Sequence, residues 1–109
     1  MSFKVYSIPA FDKQAKRLSK KFSSLKKDLG GLIDTLESKP KQGTSIGKDC
    51  YKIRLAIKSK GKGKSGGARV ITHIQIKDKN VYLLSIFDKS EQDSLTDKKL
   101  LSLISQIEE

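Results

Sequence analysis

Residues Asp49–Lys89 read DCYKIRLAIKSKGKGKSGGARVITHIQIKDKNVYLLSIFDK, and the fold turns on how this stretch divides. Three runs of apolar alternation, Cys50–Ile57, Gly67–Ile76 and Val81–Phe87, carry the β-branched and aromatic residues that suit a pleated, half-buried surface. A Gly/Lys/Ser loop and the tetrad Lys77-Asp78-Lys79-Asn80 separate them, and both are turn-like in composition. The spacing predicts three strands in an antiparallel meander. Successive side chains of a strand point to opposite faces. Tyr51, Ile53, Leu55 and Ile57 therefore share one face of the first run, with Lys52, Arg54, Ala56 and Lys58 on the other. In the second run Val70, Thr72, Ile74 and Ile76 form the apolar face, opposed by Arg69, Ile71, His73 and Gln75. Pairing the runs puts one face against helices and gathers Lys52, Arg54, Arg69 and His73 on the other. A cationic surface on a rigid sheet suits a phosphate chain.

Upstream, Phe3–Ile8 alternates as a short first strand, ended by Pro9, which cannot donate to a ladder. Between Ala10 and Lys21 the apolar positions Phe11, Ala15 and Leu18, followed by Phe22, have helical spacing. A second helix is expected from about Ser23 to Ser38, with Leu25, Leu29, Leu32, Ile33 and Leu36 as its stripe. Ser23 or Ser24 is the candidate cap, and Lys39-Pro40 the stop. Gly30-Gly31 costs this helix about 1 kcal/mol per glycine relative to alanine. Close packing on the sheet, or a break in the helix, would account for the pair. Lys41–Lys48 reads as a connector. Downstream, Thr96 is an N-cap candidate, and Leu100, Leu101, Leu103, Ile104 and Ile107 make a final amphipathic helix. The predicted order is β-α-α-β-β-β-α, an α+β fold in which helices cover a small, mainly antiparallel sheet.

The 109 residues suffice for one domain and one modest core, so residues 1–109 are read as a single unit. Twenty-three Lys+Arg against twelve Asp+Glu give a formal charge of +11. That excess points to a polyanionic partner: nucleic acid, an acidic protein or an anionic membrane surface. Lysines that only keep the protein in solution are the plainer explanation. The lone Cys50 excludes an intramolecular disulfide and reads as a small buried hydrophobe. One cysteine and one histidine are too few for a zinc site, and no cofactor is expected. No apolar run approaches ~18 residues, so neither a signal peptide nor a membrane span is read, and a reducing cytoplasm is the default compartment.

The loop Lys58–Gly67 contains Gly-Lys-Ser but is no phosphate-binding P-loop. Counting back five residues from Gly63 gives Lys58 rather than glycine, and a strand follows instead of a helix. It reads as a basic hairpin tip whose Lys58, Lys60, Lys62 and Lys64 either grip phosphates or solvate the loop. Arg54 and Arg69 stand out. Arginine suits bidentate phosphate contact and keeps its charge in any setting. An ordinary ion pair is the alternative, but no acidic residue occurs between Tyr51 and Lys77 to supply it locally. His73, a lone histidine on a strand, reads as structural first, with a catalytic role or an RNA contact as the alternatives.

The pieces DCYKIRL, the basic loop, GGARVI and VYLLSIFDKSEQDSLT together resemble the RelE/HigB superfamily of toxin–antitoxin ribonucleases. The resemblance is nearest to the HigB-like branch, for which GKSGGARVI and VYLLSIFDKSEQDSLT are fairly specific. It covers about residues 2–107. It implies a RelE-like fold and a toxin that enters the ribosomal A site, cuts mRNA there and is silenced by a cognate antitoxin. A helix-turn-helix protein encoded next door is the expected antitoxin. By the resemblance, Lys52 and Arg54 match two basic positions on the first meander strand. Arg69 matches the arginine opening the next strand, and Lys89 a basic residue after the last. The implied roles are Arg54 and Arg69 on the phosphate, Lys52 as general base and Lys89 as charge stabiliser or acid. Neighbouring cations favour the neutral form of a lysine, as a base requires. The chain departs from relatives that stack a tyrosine on a base, because Ser94-Leu95-Thr96 stands in that region. It also lacks a matching Glu/His acid–base pair; Gln92 and Asp93 are the polar residues there that a nucleotide would meet. A non-catalytic RNA- or ribosome-binding module, and a subunit whose charge serves an acidic protein, are the competing functions.

Overall fold

The computed structural model of the chain describes residues 2–61, 63–92 and 94–107. The elements are β1 (Lys4–Ser7), α1 (Pro9–Lys21), α2 (Leu25–Ser38), β2 (Thr44–Gly47), β3 (Cys50–Leu55), β4 (Ala68–Gln75), β5 (Asn80–Asp88) and α3 (Asp97–Ile104), with one 3-10 turn at Lys58–Lys60. Five strands form one sheet in the order β1-β5-β4-β3-β2. Only β1 runs parallel to its neighbour, pairing Lys4–Ser7 with Asn80–Leu83. The α+β architecture is the expected one, with one strand more.

That extra strand is β2, read from the sequence as a connector. Its four residues TSIG contain a single apolar side chain, too few to show alternation. It pairs with β3 across Lys48-Asp49, where both central residues have positive φ (57° and 58°), as a type I′ hairpin turn requires. Asparagine and glycine are the usual occupants of such a turn; Lys-Asp gives no such cue.

The helices start where local chemistry allows. Pro9 occupies the first turn of α1, where its missing N–H leaves no hydrogen bond unmade. Thr96 caps α3, its hydroxyl accepting from the Lys99 N–H at 3.1 Å. Ser24 does not cap α2 with its side chain. Its hydroxyl instead donates to Asp28 Oδ2 at 2.7 Å. The core gathers Phe11 and Leu18 of α1, Leu25, Leu32 and Leu36 of α2, and Leu100 and Leu103 of α3 around the sheet. Beyond the end of β1, Gln14 closes the edge of β5. Its Oε1 accepts from Ser85 Oγ at 3.0 Å and from the Ile86 N–H at 3.1 Å.

The two-faced pattern predicted for the sheet holds on β3 and fails on β4. Ile53 and Leu55 are buried while Arg54 is exposed. On β4, however, every residue from Ala68 to Thr72 is buried, Ile71 on the supposed polar face included, whereas Ile76 is 55% exposed. β4 is the middle strand, and both of its faces are covered there. A bulge also shifts the register: Ile71 pairs with Ser85 but Thr72 with Leu83, leaving Leu84 as an extra residue in β5.

Gly30 and Gly31 neither break α2 nor serve close packing. The helix runs through them, and a Cβ built on either meets nothing within 4 Å. Gly30→Ala and Gly31→Ala are therefore expected each to raise stability by about 1 kcal/mol in urea denaturation. A loss of stability would show that the bare backbone is needed for packing.

Candidate functional site

The β3–β4 register sets the site. Arg54 lies directly opposite Arg69, with Lys52 opposite Ile71 on the same face. Directly opposite residues have Cα atoms about 4.5–5.5 Å apart, and like charges so placed repel. The arginines settle this differently. Arg54 is exposed. Arg69 is only 3% exposed, and its guanidinium donates to the carbonyls of Lys64 (3.1 Å), Ala68 (3.1 Å) and Ser65 (3.2 Å). Backbone oxygens of the basic loop thus solvate a buried cation. Among the described residues no carboxylate forms an ion pair with either arginine.

A groove of about 1330 Å³ lies beside this rung, between α2 and the loop. Six of the residues singled out from the sequence line it: Lys52, Arg54, Lys58, Lys64, Arg69 and Lys89. Lys27 of α2 lines it too, with Gln42 and Thr44. Lys27 stands off the apolar stripe of α2 and is exposed, and only the docking of α2 beside β3 brings it to the rim of the groove. The groove has acidic lining as well, from Asp28 and Asp34. Asp28 Oδ2 is engaged, accepting from Ser24 Oγ and from the Lys58 N–H at 3.0 Å.

The remaining candidates lie elsewhere. Lys60 does not face the groove: its Nζ is 2.6 Å from Asp88 Oδ1, with the carboxylate side chain 1% and the lysine side chain 14% exposed. Gln92 is exposed and donates from Nε2 to the Ser94 carbonyl at 3.1 Å. Lys62 lies outside the described residues, as does Asp93. His73 shares a face with Arg69 but four residues along, roughly 13 Å away at strand rise. Its Nδ1 is 3.4 Å from Sγ of the fully buried Cys50. Burial, and then the charge of Asp49, push the Cys50 thiol up to about 11 against the opposing influence of Lys48. It is a packing group rather than a nucleophile.

Asp88 is the other perturbed acid. Burial acts to raise its pKa, but hydrogen bonds from Lys60 and Ser90 outweigh it and hold the carboxyl below the usual 3.8. A depressed native pKa contributes stability that is present above the unfolded value and is lost as pH falls through the folded one.

With fold and groove described, comparison with known proteins places the class. A family model described as RelE toxin of RelE / RelB toxin-antitoxin system matches residues 3–107. The chain belongs to that family, and is therefore the toxin component of a toxin–antitoxin system, for which membership implies an antitoxin partner. The match does not single out the HigB-like branch. In structure the chain is similar to the isolated E. coli RelE toxin, with a TM-score of 0.62 and 15% identity over 97% of this chain and 100% of that one. It is also similar to a double arginine-to-alanine mutant of E. coli RelE in the free state, with a TM-score of 0.60 and 16% identity over 97% and 94%. Among the described residues no helix is long and apolar enough to cross a membrane.

Two measurements probe the buried groups. Native Cys50 is expected to resist thiol alkylation at neutral pH and to react fully once the chain is denatured; rapid labelling of the native protein would contradict its burial. Asp88→Asn should lower stability at neutral pH by about 3 kcal/mol. In pH-dependent unfolding the wild type should then lose stability below pH 4 more steeply than this variant.

Proposed function

We propose that this toxin is an mRNA endonuclease that acts on messages in translating ribosomes and cleaves by attack of a ribose 2′-hydroxyl on the adjacent phosphate. One observation carries the reading: seven lysines and arginines line one groove around an Arg54–Arg69 rung. Cleavage of this kind concentrates negative charge on the phosphorane, and cations fixed beforehand stabilise it better than water, which must reorganise. The scheme draws its positive charge from side chains.

Arg54, exposed on the groove, contacts the scissile phosphate. Arg69 stands beside it, oriented by three carbonyls, and contributes positive potential without having to rearrange. Lys52 takes the 2′-hydroxyl proton as general base. The 2′-oxygen bonds to phosphorus as the bond to the 5′-oxygen breaks, and Lys89 supports or protonates that leaving oxygen. The products are a 2′,3′-cyclic phosphate and a 5′-hydroxyl. Lys58 and Lys64 hold flanking phosphates, a contribution that weakens with salt. The cytoplasm, where ribosomes work, is the compartment of this activity. The antitoxin in this reading is a helix-turn-helix protein encoded beside the toxin.

The test is primer extension on a translated mRNA after induction of the toxin. New 5′ ends within the coding sequence are expected from the wild type and are expected to vanish with Arg54→Ala. Among the described residues, that exposed side chain has no hydrogen-bond or ion-pair partner, so its removal should leave the unfolding midpoint nearly unchanged. Ribosome binding retained without cleavage separates catalysis from mere RNA binding. Arg69→Ala is the less clean variant, since it removes a buried side chain together with its hydrogen bonds to the Lys64, Ser65 and Ala68 carbonyls and should destabilise by about 1–3 kcal/mol. Cleavage undiminished in Arg54→Ala would remove the central element of the scheme.

A further inference from the structure

The loop between β3 and β4 is fastened at three points. At its start the Lys58 N–H donates to Asp28, and Ser59 and Ser24 exchange hydrogen bonds, Ser59 N–H to Ser24 Oγ at 2.8 Å and Ser24 N–H to Ser59 Oγ at 3.2 Å. At its end Arg69 grips the carbonyls of Lys64 and Ser65. Between these, Lys60 reaches through the interior to Asp88 at 2.6 Å. The same carboxylate accepts from the Ser90 N–H at 3.0 Å, and the Lys89 N–H donates to the Gly67 carbonyl at 3.0 Å. One buried acid therefore joins the loop that carries Lys58 and Lys64 to the strand end that carries Lys89. Those three lysines line the groove; Lys60 does not.

We infer that the Lys60–Asp88 pair is a positioning device for the groove, holding the loop lysines and Lys89 in fixed register across it. The inference rests on the nuclease reading for its effect on rate. A buried ion pair is a poor choice for stability alone, because well-packed apolar residues of similar volume often do as well or better. What it adds is direction: a short charge-assisted hydrogen bond tolerates little displacement of either partner. The surroundings narrow it further. Lys60 Nζ lies 5.6 Å from the centre of the Phe22 ring, and Lys21 Nζ stands 5.3 Å from the same ring and 3.9 Å from Asp88 Oδ2. Lys60 thus acts through other residues and touches no substrate. Displacements near 1 Å among groups arranged about a reacting phosphate lower rates by about 100-fold.

The experiment compares the wild type, Lys60→Gln and Lys60→Arg at a temperature where circular dichroism shows each fully folded. Three readings are taken: the maximal rate of mRNA cleavage on programmed ribosomes, the ribosome affinity across a salt series, and the rate of tryptic cutting after Lys58 and Lys64. Lys60→Gln is expected to lower the maximal rate by about 10–100-fold and to speed tryptic cutting, with any loss of affinity smaller than the loss of rate. Lys60→Arg is expected to restore most of both. A full cleavage rate in Lys60→Gln overturns the inference. So does weaker binding with a flatter salt dependence and an unchanged tryptic rate, which would make Lys60 a phosphate contact. Should the wild type itself cut no mRNA, the nuclease reading falls and the tryptic reading decides: faster cutting reversed by Lys60→Arg upholds the positioning role, and an unchanged rate overturns it. If Lys60→Gln does not fold, Lys60→Met with Asp88→Leu removes both charges and takes its place in all three readings.

Discussion

Two guanidinium groups on one rung of a β-ladder repel each other, and much of this molecule is arranged around that constraint. The register of β3 and β4 leaves no alternative placement, because a shift of one residue would turn Ile53 and Leu55 out of the core. Relief comes from the loop, whose carbonyls fold back over Arg69 and leave Arg54 alone facing solvent. The basic loop thus has two electrostatic functions. Its backbone oxygens quiet one buried cation while its lysine side chains add positive charge to the groove.

Burial reinforces this division. The sheet's middle strand is covered on both faces along Ala68–Thr72, so its one charge there, Arg69, is buried, and exposed charge on this face stands at the margin, where β3 is flanked by the short β2 and its later residues have no strand on their outer side. Helix α2 stands at that margin and forms the opposite wall. The groove is the gap between a rigid ladder and a helix that does not quite cover it. Family membership fixes the toxin role; the proposed nuclease activity rests on this arrangement of charge.

Much of this is legible in the residues themselves. Alternation locates β3, β4 and β5 to within one or two residues, and the same alternation puts Lys52, Arg54 and Arg69 on one side. What escapes is whatever depends on partners distant in the chain. Nothing in KSKGKGKS marks Lys60 as the lysine that turns inward, since its partner Asp88 lies 28 positions further on. Arg69 looks like a phosphate ligand for want of a nearby acid, yet backbone carbonyls, which no composition reveals, already satisfy it. The bulge at Leu84 is equally silent: VYLLSIFD reads as an unbroken strand although its register slips midway.

The one parallel contact in the sheet has a further consequence. β1 pairs with β5, Lys4 with Asn80 and Ser7 with Leu83, and partners so widely separated in the chain make for slow closure. Its outer backbone groups therefore stay unmatched until residues 80–83 are free to fold beside it.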